Sequence, residues 1–97
     1  MGEKVGRFFM TQLLDALEFM HNKGVVHWDV KLENILVDEQ YNLQMADFGY
    51  ACSKNINALK TPRGTYGYMA PEIKEGKTYK GKQVDIFSLG VVLFIIV

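Results

Sequence analysis

The sequence predicts an α+β domain that is mainly helical, and three observations lead to that reading. A first stretch repeats apolar residues at helical steps, short apolar runs in the middle alternate with polar turns, and a last stretch is apolar on nearly every face. With 97 residues the chain is one small domain at most, of a size that buries well under three-quarters of its unfolded surface.

Val5, Phe8, Phe9, Leu13, Leu17 and Met20 recur at three- and four-residue steps, which predicts a helix over residues 4–22 with these side chains on one face. Gly24 is placed to end it, because glycine adopts the left-handed closing conformation cheaply. His21 falls in the last helical turn, where a cation or a surface group suits the dipole better than a ligand role does. Val25 and Val26 read as a very short strand, and Ile35, Leu36 and Val37 as a second one. The polar run 38–42 reads as a turn, and residues 43–46 return as the paired strand that presents Asp47 at its end. Residues 84–97 form a helix that needs burial on all sides to be stable.

Eleven basic and eleven acidic residues give no net charge, and neither sign forms a block. That balance argues against nucleic acid or an anionic membrane as the main partner. The single cysteine, Cys52, allows no internal disulfide, so a reducing, cytoplasmic setting is expected and an inert side chain is favoured over a reactive thiol. Residues 1–7 run straight into the helical pattern, so no signal peptide is expected. The apolar end, residues 89–97, is shorter than the roughly twenty residues a spanning helix needs.

Between the apolar runs lies His27-Trp28-Asp29-Val30-Lys31-Leu32-Glu33-Asn34. An Asp, a Lys and an Asn so closely spaced make poor strand or helix material, so the stretch reads as a functional loop. Asp29 suits the orienting of a hydroxyl proton, or is a turn residue bonding its own backbone. Lys31 is a mobile point charge on the same side of an extended loop, or a solvated surface lysine. Asn34 offers a neutral oxygen and Asp47 a charged one, a pair suited to a hard cation. Gly49, after Phe48, allows a sharp turn past that ligand. His27 is assigned a structural role in supporting the loop.

This loop, followed in order by Asp47-Phe48-Gly49 and Ala70-Pro71-Glu72, resembles the protein-kinase family. The resemblance implies that residues 1–97 are part of the C-terminal lobe of a kinase domain: helix, catalytic loop, small β-hairpin, activation segment and the start of a central buried helix. The ATP-covering small lobe and the final helices are expected to be absent, and no G-x-G-x-x-G occurs. The implied activity is transfer of the γ-phosphate of ATP to a Ser or Thr hydroxyl of a protein substrate, with ATP and Mg2+ as cofactors. Asp29 is then the catalytic carboxylate, Lys31 meets the γ-phosphate, and Asn34 and Asp47 hold the metal. A Lys two residues after the catalytic Asp is typical of family members that modify Ser and Thr.

The spacing from Thr61 to Glu72 is similar to kinases of the calcium/calmodulin- and AMP-dependent groups. It implies that Thr61 stands at the activation-segment phosphorylation site and Thr65 near the substrate and the catalytic loop. Asp85 is implied to bond backbone donors of that loop, or is a helix-start Asp near the positive end of the dipole. Glu72 is implied to pair with an Arg beyond residue 97. One position departs from the pattern, because Trp28 stands where the family usually has the Arg that pairs with a phosphorylated segment residue. An indole carries one donor and no charge, which leaves Arg63, Lys54 or Lys60 as the replacement partners. The alternative is a pseudokinase or truncated interaction module without catalysis. The isolated chain is expected to be inactive and to fold poorly, with a large apolar patch.

Overall fold

Helix α1 covers Glu3–Asn22 in the computed structural model, which describes residues 2–96. Leu13 and Leu17 anchor it in the core with Met10 and Met20 packed alongside, as helical spacing requires. Its first turns differ from the expectation: Val5 and Phe8 remain 48% and 47% exposed. They flank an open apolar groove shared with Phe9 and Tyr41, because the helix runs past the hairpin and no described element covers that end. Gly24 closes the helix at φ +75° with its N–H on the His21 carbonyl at 3.0 Å.

The strand expected at Val25 and Val26 is reduced to an isolated bridge between Val26 and Cys52. The backbone cannot stay extended there, since Trp28 sits at φ +73°. Strand β1, Ile35–Val37, pairs antiparallel with β2, Leu43–Met45, with Ile35 opposite Met45. Asp38 closes the turn between them by accepting the N–H groups of Gln40 and Asn42, each at 2.9 Å, the side-chain turn chemistry that makes Asp common in such turns. Gln12 of α1 binds this hairpin from both amide ends, accepting from Leu43 N–H at 2.8 Å and donating to the Tyr41 carbonyl at 3.2 Å.

A short helix α2, Pro71–Lys74, was not foreseen. Its proline stands in the first turn, where the missing N–H costs nothing, and Ile73 plugs it into the core. Helix α3 runs over Gly81–Ile96 and so starts before the expected residue 84; Val97 lies outside the described residues. The earlier start is fixed by Gly81, whose N–H binds the Ile56 carbonyl at 2.6 Å.

Helix α3 serves two cores. Val84 joins Val26, Trp28, Leu59, Ala70, Ile73 and Tyr79, whereas Leu89 and Val92 join Leu13, Leu17 and Val30. Burial on all sides is not observed: Phe94 is 85% exposed, and Ile86, Phe87, Leu93 and Ile95 are also open. A helix that packs against a single layer covers one stripe, so an apolar groove stays open between α1 and α3 beside Met10, Leu14, Leu93 and Phe94. No described helix is long and apolar enough to cross a membrane. The result is mixed helix with a small two-stranded antiparallel sheet.

Candidate active site

Loop 27–34 is held from beneath by α3. Asp85 is 1% exposed, and its two oxygens accept the backbone N–H groups of His27 at 2.8 Å and Trp28 at 2.9 Å. It lies one turn inside α3, past the capping position, and it bonds the loop backbone as the resemblance implies. These bonds secure the left-handed backbone of Trp28, a conformation that costs a bulky residue about 1–3 kcal/mol. His21 completes the set with Nε2 at 2.9 Å from Asp85. It is therefore a partly buried partner of that carboxylate and not the surface group expected from its place at a helix end.

His27 is fully buried and ties the loop to the end of the hairpin. Its Nδ1 accepts from Asp29 N–H at 3.2 Å, so Nε2 carries the proton and donates to the Ala46 carbonyl at 2.9 Å. Phe48 packs edge-on against the same ring at 5.0 Å. Ala46 N–H returns a bond to the Asn34 carbonyl at 2.7 Å. The catalytic candidates of the loop and Asp47 are thereby fixed side by side.

Above this base Asp29, Lys31, Asp47, Gly49, Tyr50, Gly64 and Thr65 line one polar cavity. Lys31 is extended, at φ −159° and ψ 163°, which sends its side chain to the side where Asp29 lies. Thr65 links them: its hydroxyl donates to Asp29 Oδ1 at 2.9 Å and accepts from Lys31 Nζ at 2.9 Å. Lys31 Nζ also stands 3.8 Å from Asp29 Oδ2. A carboxylate, an ammonium and a hydroxyl so arranged can orient an incoming hydroxyl while balancing negative charge beside it.

Asn34 is buried and donates its amide N–H to the Asp29 carbonyl at 2.8 Å, which leaves its amide oxygen outside that bond. Asp47 sits at φ +55° and accepts Gly49 N–H on Oδ1 at 3.2 Å. The sharp bend is thus made by Asp47 itself, and Gly49 is not in the left-handed region. A Cβ there would press on Asp47 Oδ1 at 3.1 Å, so a side chain at this position would displace that carboxylate. Among the described residues no three His, Cys, Asp or Glu side chains gather to hold a metal. An amide oxygen and a carboxylate are donor types that suit Mg2+, which takes few protein oxygens and keeps several waters.

Other expected residues lie outside the cavity. Thr61 is exposed, with its carbonyl taken by the Tyr79 hydroxyl. Arg63 rests on the rings of Trp28, at 4.8 Å, and Tyr50, at 5.5 Å. Lys54 and Lys60 are exposed. Glu72 sits in the first turn of α2, and no ion pair joins it among the described residues. Cys52 is a free thiol whose Sγ donates to the Lys54 carbonyl.

Sequence reasoning missed Tyr68 and Tyr79. The Tyr68 hydroxyl donates to Glu33 at 3.2 Å, and Ser88 of α3 donates to the Tyr68 carbonyl at 2.7 Å. The Tyr79 hydroxyl accepts from the Trp28 indole at 2.9 Å, and burial pushes its pKa above the ordinary tyrosine value. No local pattern marks either tyrosine, since their partners are distant in the chain.

Comparison with known proteins places the chain in a family. The chain is 44% identical to CBL-interacting protein kinase 5 of Oryza sativa subsp. japonica over 97% of its length and 21% of that protein's. It is 43% identical to the carbon catabolite-derepressing protein kinase of Saccharomyces cerevisiae over 98% of its length and 15% of the relative's. With CBL-interacting serine/threonine-protein kinase 8 of Arabidopsis thaliana the identity is 41%, over 99% and 22%. The chain thus spans about a fifth of the length of such curated relatives. A protein-family model described as protein kinase domain matches residues 1–97, and the chain belongs to that family.

Proposed function

We propose that this chain is the middle of the large, C-terminal lobe of an ATP-dependent protein serine/threonine kinase, and that its loop 27–34 does the chemistry in the whole protein. The observation that carries this reading is the Thr65 hydroxyl bridging Asp29 and Lys31 at 2.9 Å on each side. Kinase relatives named for serine and threonine support the substrate class.

In the proposed reaction Asp29 orients the hydroxyl of a substrate Ser or Thr and accepts its proton. The hydroxyl oxygen forms a bond to the γ-phosphorus of ATP as the bond to the β-phosphate bridging oxygen breaks and ADP leaves. Lys31 balances the charge that spreads over the phosphoryl oxygens, the main demand of such a transition state. Asn34 and Asp47 are the residues that would hold Mg2+, which when bound neutralises phosphate charge. Thr65 fixes the relative placement of the carboxylate and the ammonium, a geometric contribution of the kind that dominates this chemistry. Thr61 is proposed as a modification site, and a cytoplasmic setting is proposed on the strength of the free Cys52 thiol.

The test is transfer of labelled γ-phosphate to a Ser/Thr peptide by the full-length protein and by its Asp29→Asn variant. The substitution keeps the shape and removes the proton acceptor, so transfer is expected to fall at least about 100-fold, within the range that a general base contributes. Unchanged transfer would sink the assignment of Asp29.

A further inference from the structure

Trp28 is 7% exposed and is locked from three directions. Its indole N–H donates to the Tyr79 hydroxyl at 2.9 Å, and that hydroxyl in turn donates to the Thr61 carbonyl. Its ring carries the Arg63 guanidinium at 4.8 Å, and Tyr50 meets the same guanidinium at 5.5 Å. Its carbonyl lies so close to Gly64, which sits at φ +122°, that a Cβ there would approach it to 3.3 Å. The next residue, Thr65, bonds Asp29 and Lys31. Segment 61–65 is therefore fastened to the neighbour of Asp29 at Thr61, through Tyr79, and at Arg63, with Gly64 close against the Trp28 carbonyl. The fastening uses neutral hydrogen bonds and a cation on π faces, and no anion takes part.

We propose that Trp28 is a positioning residue that, with Arg63, Tyr79 and Tyr50, docks segment 61–65 and so holds Thr65 against Asp29 and Lys31 without a phosphate on the segment. The proposal rests on the reading of Asp29 and Lys31 as catalytic groups. Segments of this kind can be ordered by a phosphate that pairs with Arg. Here the arginine already has its partners, since its guanidinium stacks on the faces of Trp28 and Tyr50. The tryptophan supplies in packing what a charge pair would supply in attraction.

The experiment uses the full-length protein after phosphatase treatment, with removal of phosphate checked by intact mass. Arg63→Gln is the main variant, because Arg63 is exposed and its loss spares the core; Arg63→Lys retains a cation for the rings. Two quantities are read: the rate of trypsin cleavage after Lys60, and kcat with the KM for ATP. In Arg63→Gln, cleavage should quicken by about two- to fivefold, the factor equivalent to losing an exposed cation–π contact. Its kcat should fall while the KM for ATP stays within about twofold, and Arg63→Lys should recover part of both losses. Wild-type cleavage and kcat in Arg63→Gln would overturn the clamp. So would a dephosphorylated wild type that has lost the transfer its phosphorylated form performs. Asp29→Asn separates the two readings: transfer retained there overturns the catalytic assignment, while the cleavage rates still decide the clamp.

Discussion

Replacing Asp85 by Asn removes a single charge without changing side-chain shape, and the consequences follow from three contacts. The wild-type carboxylate accepts His27 N–H on one oxygen and Trp28 N–H on the other, with His21 Nε2 on the first. An amide keeps one acceptor and turns the other into a donor that faces an N–H group. One charge-assisted hydrogen bond is lost, about 1.5–3 kcal/mol, and one buried N–H is left unsatisfied, about 1–3 kcal/mol. The sum is on the order of 2.5–6 kcal/mol, against a typical total stability of about 5–15 kcal/mol. The backbone strain at Trp28 would be released as its tether goes, so loop 27–34 should loosen first. Urea unfolding of the full-length protein reads this as a lower midpoint at unchanged slope. Phosphoryl transfer by the same variant should fall with it. In a double-mutant cycle with His21→Gln, the two losses should combine to less than their sum, since both variants break the same pair. A midpoint shift worth less than about 1 kcal/mol would refute the tethering role of Asp85.

Two further outcomes follow from packing and burial. Gly81→Ala should destabilise by about 1–3 kcal/mol in the same unfolding assay, because its Cβ would lie 2.8 and 2.9 Å from the Val26 methyls and 3.0 Å from Leu59; Gly90→Ala, with nothing within 4 Å, should instead stabilise by about 0.5–1 kcal/mol. Burial raises the Tyr79 pKa, so the unfolded chain ionises first as pH rises. Its contribution is full below the unfolded value of about 10 and is lost as pH climbs from there through the folded value. Unfolding measured against pH should show that alkaline loss, and Tyr79→Phe should reduce it.

The extent of α1, the Asp38 turn, the β1–β2 pairing and the extended Lys31 were legible because each is set by residues a few positions apart. The side chains of Val5 and Phe8 were misplaced for the opposite reason: periodicity names a helix face but not how far the partner layer extends beneath it. Gly49 shows the same limit at the site. A glycine after a candidate ligand suggests a bend, yet the left-handed residue is Asp47 and the glycine lies close beneath its carboxylate.

By itself the sequence determined the order of the motifs, the mainly helical α+β character and the juxtaposition of Asp29, Lys31 and Asn34, all of which depend on local spacing and turn chemistry. The tertiary structure decided which groups complete them. Asp85 reaches His27 across 58 positions, Tyr79 reaches Trp28 across 51, and Thr65 reaches Asp29 across 36. Such partners are chosen by where the chain returns after packing its two cores against α3, and no periodicity along the chain encodes that return.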